Sequence, residues 1–141
     1  MPPDPSIAMR NGASAHRVWT KAVPSPRIVA AAPGLKIVLP DEIATRARAK
    51  MNAGGMPATL GIRPEDIHIA GAADSPDHCF DATVEVVEQL GSEILLDSRV
   101  GEALMVASVD PTLRVRAHDQ LKLALNPKRL HLFDPKDEMA I

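Results

Sequence analysis

Downstream of Gly34, Gly, Pro, Asp and Asn cut this chain into short runs, and nearly all of those runs alternate apolar and polar residues. A chain cut this often must pair strands rather than stack long helices. The clearest run is Phe80–Leu90. Alternation puts Phe80, Ala82, Val84, Val86 and Leu90 on one face, with Asp81, Thr83, Glu85 and Gln89 on the other. Val87 and Glu88 break this pattern, which predicts a bulge or a strong twist. Gly91-Ser92 follows as a hairpin turn, and Gly91 suits a backbone that a side chain would strain.

The remaining runs obey the same grammar. Leu35–Leu39 reads as a strand. Asp41 is placed to cap a helix over Glu42–Lys50, with Ile43, Ala47 and Met51 on one stripe and Asn52–Gly55 as its stop. Met56–Arg63 is the next strand. Arg63 is biased toward extended geometry because it precedes Pro64, and Pro64-Glu65-Asp66 turns the chain into Ile67–Ile69. Gly71–His78 is a polar loop. Strands over Glu93–Val100 and Ala103–Val109 meet at Gly101-Glu102. Leu121, Leu123 and Leu125 alternate with polar or small residues, Asn126-Pro127 opens a helical turn, and Leu130–Phe133 returns to strand before Asp134-Pro135. The sum is about seven or eight short strands with one or two short helices: a mainly β chain suited to a small barrel or sandwich.

Residues 1–33 read differently. Six prolines punctuate a stretch rich in Ala, Ser and Arg, which predicts an extended or poorly ordered segment. Val18–Val23 is its one candidate strand, at an edge. The expected organisation is therefore a Pro-rich segment over 1–33, one domain over 34–135 and a tail over 136–141.

A chain of 141 residues is long enough for one core without staples. That core must be aliphatic, because Trp19, Phe80 and Phe133 are the only aromatics. A net charge of −2 gives no broad attraction to nucleic acid. The best basic cluster, Arg114, Arg116 and His118, is flanked by Asp110 and Asp119. Cys79 stands alone, so no intrachain disulfide forms and no cysteine-based zinc site closes. His78 beside Cys79 points the opposite way on an extended chain and makes a poor ligand pair. No apolar run reaches the ~20 residues of a membrane span, and residues 1–9 lack the pattern of a secretory signal. Together these point to the cytoplasm. Ser75, Ser92 and Ser98 lack a nucleophile-elbow context. No Gly-x-x-x-x-Gly-Lys-Ser/Thr string is present to cradle phosphate. No catalytic, cofactor or metal residue is expected.

Three phrases carry a resemblance: Leu60-Gly61-Ile62-Arg63-Pro64-Glu65-Asp66-Ile67, Val84–Glu93, and Asn126-Pro127-Lys128-Arg129-Leu130-His131-Leu132-Phe133. In this order and spacing, over about residues 34–135, the chain resembles the C-terminal regulatory domain, transport-associated OB or TOBE-type, of ATP-binding subunits of sugar-import ABC transporters. The resemblance implies an OB-type β-barrel with no ATPase chemistry of its own. It also implies a homodimer through the barrel, an attached ATPase domain, transporter subunits at the inner membrane, and docking by a cytoplasmic regulator. Gly61, Arg63, Pro64, Glu65, Glu88, Gly91 and Glu93 are the candidate structural and interface residues, with Arg63 able to pair with Glu65, Glu88 or Glu93. Related barrels bind molybdate-like oxyanions between subunits. That alternative lacks its Ser-Ala-Arg-Asn phrase here, since only Arg10-Asn11 is present.

Overall fold

The computed structural model describes residues 6–8, 14–23, 25–51, 55–136 and 139–141. Among them are eleven strands: β1 Ser6–Ala8, β2 Ser14–Val23, β3 Ser25–Ala32, β4 Leu35–Val38, β5 Met56–Ile62, β6 Ile67–Ile69, β7 Cys79–Gln89, β8 Ile94–Val100, β9 Ala103–Val109, β10 Gln120–Leu125 and β11 His131–Phe133. One helix, α1, spans Asp41–Lys50. The first sheet runs β11-β5-β2-β3-β4, with β1 on β2, and the second runs β6-β10-β7-β8-β9. The expected mainly β, OB-type barrel is the fold found.

The chain passes between the sheets at one two-stranded corner. β5 leaves the first sheet through a 3-10 turn, Pro64–Asp66, and enters the second as β6. β10 makes the reverse passage through Pro127–Arg129 into β11. The strands on either side are paired in register, Gly61 with His131 and Ile67 with Leu125. The Asn126 amide donates to the Asp66 carbonyl at 2.9 Å, stitching the turns together. Both turns start from an extended residue before proline, Arg63 and Asn126, where the proline ring disfavours helical geometry. Each proline then occupies a first-turn position that needs no amide donor.

The core between the sheets is aliphatic, as the shortage of aromatics requires. Ile28, Ile37, Leu60 and Ile62 from the first sheet meet Leu96, Met105, Leu123 and Leu125 from the second, all fully buried. α1 adds Ile43, Ala44 and Ala47. Its N-cap is Pro40 without a side-chain bond, and Asp41 lies inside the first turn, where negative charge suits the helix dipole.

Asp41 as the helix cap is thus corrected, and three further expectations need correction. The described part of residues 1–32 is strand, and β2 is an interior strand with β5 on one side and β3 on the other. The sequence from Ser14 to Val23 contains no proline, and His16, Val18 and Thr20 alternate inward against Arg17, Trp19 and Lys21. Inward polar residues hid that alternation; the Thr20 hydroxyl donates to the Met56 carbonyl at 2.9 Å. The domain start expected at Gly34 therefore falls inside a hairpin, because β3 and β4 pair directly. Residues 1–5 and 9–13 lie outside the described residues.

The third correction concerns β7. Its irregularity lies between Val84 and Val86, ahead of the expected position. At Val84 the strand still bonds the 118–119 segment, receiving from the His118 amide and donating to the Asp119 carbonyl. Beyond it β7 pairs with β8 alone and turns over. Val86 and Leu90, read as inward, are exposed.

The β3–β4 and β8–β9 hairpin turns pack backbone on backbone. Gly34 and Gly101 both have positive φ, +77° and +60°. A Cβ on Gly34 would lie 2.6 Å from the Gly101 Cα, and one on Gly101 would overlap the Pro33 carbonyl. Gly101→Ala is expected to destabilise the fold by about 1–3 kcal/mol, read by urea denaturation. Gly91→Ala should cost less, because nothing lies within 4 Å of a Cβ there, leaving only the strain of φ +83°.

Candidate interface at the sheet corner and the hairpin tip

Two of the three sequence phrases meet at the corner, and the third forms the β7–β8 hairpin. Gly61 is buried in β5 between Ala15 of β2 and His131 of β11. Arg63 is exposed just beyond it and reaches Glu65 at 4.0 Å. Of the three carboxylates considered for Arg63, this nearest one in sequence is the partner. An exposed pair of this geometry contributes little stability. Pro64 opens the turn between them.

Glu88 lies near the end of β7, and Gly91 lies in the turn that follows. The hairpin closes through the Leu90 amide to the Glu93 carbonyl at 2.9 Å. Gly91 supplies the positive φ that the turn demands. Glu93 turns back onto the sheet, and its carboxylate accepts from the Ser108 hydroxyl of β9. Glu88 is exposed opposite Leu95. The seven residues thus fall on two elements, the corner and the β7–β8 hairpin, and the 3-10 turn of the corner packs against β9.

Sequence reasoning missed the surface that adjoins the tip. On the outer face of β7, β8 and β9, Val86 stands opposite Asp97, and Asp97 opposite Val106. Arg99 stands opposite Leu104. Val86 is 53% exposed, Leu90 46% and Leu104 40%, so three aliphatic side chains lie open beside Asp97 and the Arg99–Glu85 pair. Arg99 holds Glu85 through two hydrogen bonds, and the Glu85 carboxyl sits below its usual range chiefly for that reason. The only signal in the sequence was the broken alternation at Val87-Glu88.

A groove of about 670 Å³ adjoins this face, lined by Asp81, Thr83, Arg99, Gln120, Lys122 and the Gly34–Gly101 contact. Its cations are already answered: Lys122 faces Asp81 at 3.8 Å and Arg99 faces Glu85. An oxyanion would have to displace a carboxylate to use either. Arg114, Arg116 and His118 line the loop into β10, where Asp119 accepts from the Arg116 amide.

The loop between β6 and β7 is fastened at two points. Asp74 accepts from the Gly71 amide at 2.8 Å and from the His68 ring, and Asp77 pairs with Arg27 of β3 at 3.0 Å. Cys79 donates from Sγ to the Ser75 carbonyl at 3.2 Å, and His78 belongs to the 3-10 turn before it. The Gly71 amide, then His68, lowers the Asp74 carboxyl below its usual range. A depressed acid stabilises the folded state above its unfolded value of about 3.9 and loses that contribution as pH falls through the folded value. Asp74→Asn should therefore speed Gly71 amide exchange at neutral pH, and the difference from the parent chain should vanish in strong acid.

The comparisons with known proteins agree with this geometry. A family model described as TOBE domain matches residues 60–133, more than half of the chain, from β5 to β11. The sulfoquinovosyl glycerol transport ATP-binding protein SmoE of Agrobacterium fabrum is 36% identical over 62% of this chain and 24% of that protein. The trehalose/maltose import ATP-binding protein MalK of Thermococcus litoralis is 33% identical over 74% and 28%. The sn-glycerol-3-phosphate import ATP-binding protein UgpC of Cupriavidus pinatubonensis is 38% identical over 55% and 20%. The chain spans about a quarter of the length of these relatives. The matched span holds both crossovers and the hairpin they frame, and the chain belongs to the TOBE domain family.

Proposed function

We propose that this TOBE domain is a regulatory and dimerisation module without catalysis of its own, attached to the ATP-binding machinery of a carbohydrate-type importer. The observation that carries this reading is the match to a quarter-length portion of sugar and glycerol-phosphate import ATP-binding proteins. The mechanism is positional. Two barrels hold each other while the attached ATPase domains open and close. The place of action is the cytoplasmic side of the inner membrane, reached through transporter subunits, and a cytoplasmic regulator docks on the barrel.

The surface we assign to the second barrel is the outer face of β7–β9 with the hairpin tip. Val86, Leu90 and Leu104 supply the apolar area, and Glu88, Gly91 and Glu93 shape its rim. Interfaces of this kind concentrate binding in a few central side chains and tolerate polar rims. We assign Gly61, Arg63, Pro64 and Glu65 to fixing the corner.

The purified chain is expected to dimerise in light scattering. Val86→Asp combined with Leu104→Asp should shift it to monomer without altering its circular dichroism. A parent chain that stays monomeric at high concentration would remove the dimer assignment. Hydrolysis of ATP above a blank by the purified chain would contradict the non-catalytic reading.

A further inference from the structure

The outer face of the other sheet carries an unbalanced charge. On three strands an exposed cation pairs with an acid: Arg27 with Asp77, Arg99 with Glu85, Lys122 with Asp81. Among the described residues Arg17, Lys21 and Lys36 form no ion pair, and all three are exposed. Register gathers them. Arg17 and Lys21 flank Trp19 on the same side of β2. Trp19 stands opposite Ala31 of β3 and Pro57 of β5, and Ala31 stands opposite Lys36 of β4. Arg17 stands opposite Thr59, and Thr59 opposite Phe133 of β11. Lys21 stands opposite Val29, and Val29 opposite Val38. These rows contain no Asp or Glu. Of the acids near Lys36, Glu42 of α1 pairs with Arg46 and Asp81, across a shared cavity, pairs with Lys122.

Trp19 is seated in the middle of this face. Gly55 is buried beneath it with φ +89°, and a Cβ there would lie 2.6 Å from the indole Nε1. Only glycine lets the indole settle at this spot. Even so, Trp19 remains 46% exposed. An amphipathic ring held half in solvent among unpaired cations suits the boundary between water and an acidic bilayer.

We propose that the outer face of β2–β5, centred on Trp19 with Arg17, Lys21 and Lys36, docks this domain on an anionic lipid surface. The net charge of −2 does not oppose this. Charges act over roughly 8 Å at physiological salt, so a flat surface senses only the face turned toward it. A single nucleic-acid strand is the weaker fit, because it needs successive aromatic platforms. Here Trp19 has Ala31 and Pro57 as its cross-strand neighbours, and Phe133 is partly covered. Each cation near an acidic bilayer contributes about a five-fold gain in partitioning.

Trp19 is the only tryptophan in the chain, so its emission reports on this face directly. Vesicles of phosphatidylcholine mixed with phosphatidylglycerol should shift that emission to the blue and sediment the protein. Pure phosphatidylcholine should do neither, and high salt should reverse both effects. Arg17→Gln with Lys21→Gln should weaken sedimentation by about 25-fold with circular dichroism unchanged. Lys128→Gln, on the exposed turn Pro127–Arg129, should leave it unchanged. The proposal is overturned by a silent Trp19 with acidic vesicles, by an equal response to neutral ones, or by an equal loss in the Lys128 variant. Quenching of Trp19 by a single-stranded oligonucleotide without any vesicle response would likewise overturn it and give the face to nucleic acid.

Discussion

One short bond, from the Asn126 amide to the Asp66 carbonyl, marks the constraint on which the barrel depends. It joins the two places where the chain leaves one sheet for the other. Two separate crossings would leave each sheet free to slide, because strands of period two can slip register. Here the crossings are neighbours in a single antiparallel ribbon, paired at Gly61 and His131 before the corner and at Ile67 and Leu125 after it. A slip of one residue in either sheet would have to break both pairings and turn Leu60, Ile62 and Leu125 out of the core. The proline at the head of each turn forces both strands to bend at the same level. Register in the two sheets is thus coupled through one corner.

How much of this was legible in the sequence follows from how local each cause is. Pro64, Pro127 and Gly91 act through their own backbone and Asn126 through a cap on the Lys128 amide two residues on, and the turns they predict stand where they were expected. The inversion of Val86 and Leu90 has a remote cause. It arises because Val84 is the last residue of β7 to bond the segment before β10, and nothing in the run Phe80–Leu90 announces that. β2 was obscured for a different reason. Its inward positions include His16 and Thr20, so a pattern of apolar alternation fails where burial is nonetheless complete. Of the candidate interface residues, the phrases located both groups. They could not show that Arg63 and Glu93 take different partners.

The contact of Gly34 with Gly101 makes a second coupling between the sheets, far in sequence from the corner. It brings the β3–β4 turn, from the stretch expected to be loose, against the β8–β9 turn of the matched family region. Residues before Gly34 are therefore part of the same packing unit. The fastening of Asp77 by Arg27 of β3 acts in the same sense, tying the loop before β7 to a strand from the first third of the chain.

These couplings decide how the two outer faces divide their work. The face of β7–β9 joins Arg99 to Glu85 and leaves aliphatic side chains open, which suits a partner of like character such as a second barrel. The face around Trp19 leaves cations unanswered, which suits a partner that brings negative charge without demanding shape. Because the sheets are locked at the corner and at the glycine turns, neither face can adjust independently of the other. A barrel that held its twin on one side would present Trp19 at a fixed orientation on the other. Rigid coupling of this kind lets one small domain set the distance between a partner and a surface, and distance is what a positional regulator has to control.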